Sequence, residues 1–206
     1  MKVKICGITN AEDALFCEAL GADLLGFIFY NKSKRFIDYN SAGEIIKRLS
    51  PVTGKVGVFV NEPAEKINEI AGMLKLNFVQ LHGDETPEEV SKINHPVIKS
   101  FRVKEGFDFS LLESYGSARA LLDSFNIDQF GGTGKSFRWE VIPENLRQSI
   151  ILAGGVSASN IGYIYSTIKP YAVDLSSSLE KSPGRKDRSK VHEFFNVLKS
   201  LKEQEK

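Results

Sequence analysis

The sequence predicts a single (β/α)8 barrel spanning residues 1–206. Three observations predict it. Eight short apolar runs recur from end to end, and stretches of mostly helical character separate them. The repeat averages roughly 24 residues, the size of one compact βα unit. The first run begins at residue 3, and the last helical pattern lies close to the C-terminus.

The runs occupy residues 3–6, 24–29, 56–60, 78–81, 97–101, 120–123, 150–153 and 172–175. Most show little alternation, as expected of parallel strands buried on both faces. Between the first two, Asn10 reads as an N-cap, with Glu12 and Asp13 in the first turn and Gly21 at the C′ position. Pro63 opens a helix over 64–74, with Ile67, Ile70, Ala71 and Leu74 on one face. The last helix places Val191, Phe194, Phe195, Leu198 and Leu201 at helical spacing. The segment between the fifth and sixth strands is weakly helical at best.

Such alternation suits a closed barrel or an open doubly wound sheet. The first strand-to-helix turn reads Cys6-Gly7-Ile8-Thr9-Asn10, not the G-x-G-x-x-G dinucleotide fingerprint, and this favours the barrel. A charged content of 26% and a net charge of +1 argue against nucleic acid as a partner. The N-terminus turns polar too early for a signal peptide, and no apolar run approaches the ~18 residues of a membrane helix. Two cysteines make no disulfide framework and suit a reducing compartment. The expectation is a cytoplasmic protein with no membrane association. It is expected to be monomeric, since the helices show no surplus apolar face.

In a barrel, chemistry belongs to the C-terminal ends of the strands. The first strand ends at Cys6-Gly7, the fourth at Gln80-Leu81-His82-Gly83 and the sixth at Asp123-Ser124. The seventh ends at Ala153-Gly154-Gly155 and the eighth at Asp174-Leu175-Ser176-Ser177-Ser178. Cys6 shares a strand face with Lys4. A buried ammonium must be paired, and barrel closure makes Asp174 its candidate partner. Lys4 would also favour a Cys6 thiolate, as a cysteine base requires. Asp123 ends an apolar strand, where it either caps the next loop or acts as a proton donor. An acid and a base across a barrel mouth suit an isomerisation.

Gly154, Gly155, Ser176 and Ser177 lie on the two loops where barrels bind phosphate. Arg35, in the basic loop after the second strand, can grip a carboxylate bidentately. Gln80 and His82 are candidates to line the substrate. Gly131-Gly132-Thr133-Gly134-Lys135-Ser136 fails the P-loop pattern because Gln129 stands where the first glycine belongs. Gly131, Gly132 and Gly134 read instead as a lid loop. Cys17, His95 and His192 read as structural. No metal-ligand spacing is evident, and no metal is expected.

Several of these segments resemble phosphoribosylanthranilate isomerases of tryptophan biosynthesis. They include Lys4-Ile5-Cys6-Gly7-Ile8-Thr9, Gly26-Phe27 with Ser33-Lys34-Arg35, Val56-Gly57-Val58-Phe59-Val60-Asn61 and Val79-Gln80-Leu81-His82-Gly83. They also include Leu122-Asp123, the lid glycines with Phe137 and Trp139, Ala153-Gly154-Gly155, and Val173-Asp174-Leu175-Ser176-Ser177. The resemblance implies a TIM barrel and an Amadori rearrangement by an aldose–ketose isomerase. The substrate would be N-(5-phosphoribosyl)anthranilate and no cofactor would be needed. It implies Asp123 as general acid, Cys6 as general base and Arg35 on the anthranilate carboxylate. It also implies Asp174 in the site, and the backbone of Gly154, Gly155, Ser176 and Ser177 on the phosphate. Ser178 departs from the glycine usual there, which raises the question of backbone restriction. Two rivals are an aminoaldose isomerase of histidine biosynthesis and a non-catalytic phosphate-ligand binder. Cys6 argues against the first, and the presence of both Cys6 and Asp123 against the second.

Overall fold

The computed structural model describes residues 1–124 and 139–204. The lid glycines Gly131, Gly132 and Gly134 lie outside the described residues. Eight parallel strands close into a barrel in chain order. They are β1 (Lys2–Cys6), β2 (Leu24–Ile28), β3 (Gly54–Phe59), β4 (Phe78–Leu81), β5 (Val97–Val103), β6 (Arg119–Ser124), β7 (Ile151–Leu152) and β8 (Ala172–Leu175). All eight predicted strands form, with ends shifted by two residues or fewer. Closure pairs β8 with β1, putting Lys4 opposite Asp174.

The helices on the outside are α1 (Ala11–Ala19), α2 (Tyr39–Ile46), α3 (Ala64–Met73), α4 (Pro87–Val90), α5 (Glu144–Arg147), α6 (Ile161–Tyr163) and α7 (Arg188–Gln204). Asn10 caps α1 by accepting from the Asp13 backbone N–H at 2.9 Å. Gly21 follows the α1 C-cap at φ 106°, as its C′ assignment requires. The weakly helical stretch before β6 is a 3-10 turn, Phe109–Tyr115. A short antiparallel pair after β8, β9 (Glu180–Ser182) and β10 (Arg185–Lys186), has no counterpart in the predicted elements.

Two apolar regions hold this together. One lies between the strands and the helices and includes Ile5, Leu25, Phe27, Leu81, Val173 and Phe194. The other fills the lower barrel interior with Val56, Ile98, Leu121, Ile151, Ala153 and Ala172. Pairing registers continue this inward face up the strands to Lys4, Cys6, Gln80, Asp123 and Asp174. The barrel is therefore apolar at its floor and polar towards its C-terminal mouth. Among the described residues no helix is long and apolar enough to cross a membrane.

Candidate active site

A cavity of about 380 Å³ opens at the C-terminal mouth. Cys6, Arg35, Gln80, His82, Asp123, Asp174, Gly154, Gly155, Ser176 and Ser177 all line it. These are all the predicted substrate and catalytic residues outside the lid. A larger cavity, about 710 Å³, lies at the opposite end among Leu24, Phe78, Val97 and Ile151. It lies away from the strand ends where this architecture places its chemistry.

Lys4 is fully buried and pairs with Asp174, Nζ to Oδ1 at 3.0 Å. Burial disfavours its charge, but the Asp174 carboxylate beside it outweighs that and raises its pKa. The lysine stays charged inside the barrel because its partner is there. Cys6 is 6% exposed. Burial raises its thiol pKa above the usual 9.0, and the pull from Lys4 and Lys186 is too weak to reverse this. The expected Lys4-stabilised thiolate is thus corrected. Lys4 acts in the expected direction, but desolvation wins and Cys6 rests as a thiol.

Gly26, on β2, makes room for this pair. A Cβ there would lie 2.9 Å from Cys6 Sγ and 3.1 Å from Lys4 Nζ. Gly26→Ala is expected to displace the thiol, and a reacting group misplaced by about 1 Å loses about 10²-fold in rate. Steady-state kinetics and a melting curve check this. An active Gly26→Ala would show that the thiol's position is not critical.

Across the mouth, Asp123 extends from β6 with its side chain one-third exposed. Its Oδ2 lies 3.8 Å from His82 Nε2. His82 Nδ1 meets the Ser100 hydroxyl at 2.8 Å and the Gln80 amide nitrogen at 3.0 Å. With Gln80 donating to Nδ1, the ring proton sits on Nε2, facing Asp123. Burial lowers the His82 pKa below 6.5, and Lys4, Arg102 and Lys99 add to this against the pull of Asp174. The ring is therefore neutral at neutral pH. Gln80 Oε1 and Ser176 Oγ are buried with no hydrogen-bond partner. Such orphans carry a desolvation cost that a ligand's hydroxyl groups can relieve.

Gly154 and Gly155 adopt φ of 74° and 75° in succession. Space does not demand Gly155, since a Cβ there would meet nothing within 4 Å. The left-handed backbone does. Ser178 lies in a 3-10 turn, Ser177–Leu179, and has no positive φ, so its Cβ imposes no backbone strain.

Arg35 does grip a carboxylate, but it is Glu180 of the same chain. Nε donates to Oε1 at 2.9 Å and Nη2 to Oε2 at 2.7 Å. The Arg35 side chain passes over Gly7, where a Cβ would come within 2.7 Å of Arg35 Cδ. Gly7 itself has φ 78°. Glu180 and the buried Lys186 are residues that sequence reasoning missed. Lys186 Nζ donates to the Cys6 carbonyl at 2.7 Å and the Ser176 carbonyl at 3.3 Å, and it pairs with Glu180 Oε1 at 3.2 Å. The only available signal was Pro183-Gly184, a turn dipeptide between two oppositely charged residues.

The arrangement offers a carboxyl group, a thiol and two glycine- and serine-bearing loop ends around one cavity. Comparison with known proteins agrees with it. Residues 3–197 match the family model described as N-(5'-phosphoribosyl)anthranilate (PRA) isomerase. An N-(5'-phosphoribosyl)anthranilate isomerase from Trichlorobacter lovleyi is 45% identical over 97% of this chain and 98% of its own. One from Pseudomonas putida is 43% identical over 97% and 98%. A solved phosphoribosyl anthranilate isomerase from Thermotoga maritima superposes with a TM-score of 0.88 at 41% identity, covering 97% of this chain and 99% of that one. Another phosphoribosyl anthranilate isomerase was solved with reduced 1-(o-carboxyphenylamino)-1-deoxyribulose 5-phosphate bound. It superposes at 0.86 with 40% identity over 97% and 99%. Monomers generated from a dimeric Thermotoga maritima enzyme superpose at 0.84 with 39% identity over 97% and 98%. The chain belongs to the N-(5'-phosphoribosyl)anthranilate isomerase family.

Proposed function

We infer that this chain isomerises N-(5'-phosphoribosyl)anthranilate to 1-(2-carboxyphenylamino)-1-deoxyribulose 5-phosphate, a step of tryptophan biosynthesis. The observation that carries the reading is that Cys6 and Asp123, from the ends of β1 and β6, line one cavity with Asp174 and Ser176. Asp123 protonates the furanose ring oxygen, the C1–O bond breaks, and the aryl nitrogen forms a protonated Schiff base. That cation acidifies the C2–H bond and favours a nearby thiolate. Cys6 removes the C2 proton, and the electron pair moves to the nitrogen as an enolamine. Loss of the C2 hydroxyl proton and protonation of C1 complete the ketone. The substrate's nitrogen is the electron sink, so the cycle needs no redox cofactor or metal. Positioned proton transfer of this kind is worth about 10²–10⁴-fold per group.

Arg35 meets the anthranilate carboxylate, and Gly154, Gly155, Ser176 and Ser177 meet the phosphate through backbone N–H groups. Gln80, His82 and Asp174 line the sugar. The working unit is one copy, since every group named lies on one chain; light scattering at twice 22.9 kDa would overturn this. A cytoplasmic setting fits two free cysteines, one of them needed as a thiol. The test is the fluorescence decrease when purified protein meets freshly made N-(5'-phosphoribosyl)anthranilate. Turnover to the aminoketose supports the reading, and absence of turnover by folded protein sinks it.

A further inference from the structure

Glu180 and Lys186 form a nearly enclosed charged pair immediately behind the site, with side chains 4% and 1% exposed. Burying two charges is costly, and a shell of good hydrogen bonds must offset it. The shell here is well made. An ammonium has three N–H donors, and Lys186 spends them on the Cys6 carbonyl, the Ser176 carbonyl and Glu180 Oε1. Glu180 Oε1 also accepts from the Gly184 backbone at 3.3 Å. Thr9 Oγ1 donates to the Gly184 carbonyl, tying the β9–β10 turn to the loop after β1. The pair thus touches the backbone at the ends of β1 and β8, the two strands that carry Cys6 and the candidate phosphate loop.

Its effect on Arg35 is geometric. A guanidinium has five N–H donors in a planar fork with two useful edges. Glu180 takes the Nε–Nη2 edge. The edge remaining for a second carboxylate is Nη1–Nη2, at the tip of the side chain. Arg35 lines the cavity with its side chain one-quarter exposed. Resting on the function proposed above, we propose that Glu180 and Lys186 are positioning residues for the isomerisation. Glu180 clamps one edge of Arg35 so that the other meets the substrate carboxylate. Lys186 pins the Cys6 and Ser176 carbonyls to that clamp. Arg35 is then a bridge between a protein carboxylate and a substrate carboxylate.

A purely structural pair would act on folding and on all ligands alike. The positioning role makes a narrower prediction. Glu180→Gln keeps the shape but weakens the clamp, and it should raise KM about tenfold or more while changing kcat less. Inhibition by anthranilate should weaken, while inhibition by inorganic phosphate should not. In an Arg35→Ala background, Glu180→Gln should add little, because the residues act in series. Glu180→Asp, which keeps the charge and retracts it, should show the same split and serves if Glu180→Gln does not fold. Lys186→Met should lower kcat and slow Cys6 alkylation. Unchanged KM in a folded Glu180 variant, or equal loss of anthranilate and phosphate inhibition, overturns the proposal. If the wild-type protein lacks isomerase activity, the function itself fails. Anthranilate binding to the Glu180 variants then still reports on the clamp.

Discussion

Asp123→Asn is expected to lower kcat by about 10²–10⁴-fold with little change in KM. Asparagine matches the carboxyl group in shape but has no acidic proton to give, so ring opening in the proposed mechanism loses its acid. Stability should change little. The Asp123 side chain is one-third exposed, so its ion-pair contacts, His82 at 3.8 Å among them, are screened by solvent. A partly exposed pair of this kind contributes about 0–1 kcal/mol. The fluorescence assay and a thermal melt separate the two effects. An Asp123→Asn protein with wild-type turnover would remove the general acid from the mechanism.

Lys4→Met is expected to be strongly destabilising. It removes the cation beside Asp174 and strands a carboxylate whose side chain is only 10% exposed. Breaking a buried pair from one side costs about 3–5 kcal/mol. It also removes a charge that draws the Cys6 thiol pKa down, so that pKa should rise further. Alkylation of Cys6 at neutral pH should slow in proportion, read against a Cys17→Ala background. Cys17 is itself poorly reactive, pushed up to about 12 by burial. Equal alkylation rates in wild type and Lys4→Met would break the electrostatic link between Lys4 and Cys6.

The same shifts give the stability a pH dependence. Lys4 and Cys6 are raised above ordinary values of 10.5 and 9.0, so folding favours their protonated forms. Their contribution is complete below those values and is lost as pH rises through the raised ones. His82 is lowered from 6.5, so the unfolded chain gains a proton first and stability falls below that pH. Denaturant midpoints should therefore be flattest between these limits.

The barrel and most of the site were legible in the sequence because their signals are local. A strand buried on both faces is a run of apolar residues, wherever its neighbours come from. A polar residue that ends such a run, like Asp123, has few places to go except the mouth. Even the Lys4–Asp174 pair followed from alternation and ring closure. The tertiary structure alone decided what depends on solvation and distant partners. Arg35 and Glu180 are 145 positions apart, and no period relates them. Lys186 reaches the Cys6 carbonyl across 180 positions because the β9–β10 turn docks against the β1 loop. The protonation state of Cys6 is of the same kind. Sequence supplied the direction of the Lys4 effect, but its contest with desolvation is settled by how deeply the packed barrel excludes water around the thiol.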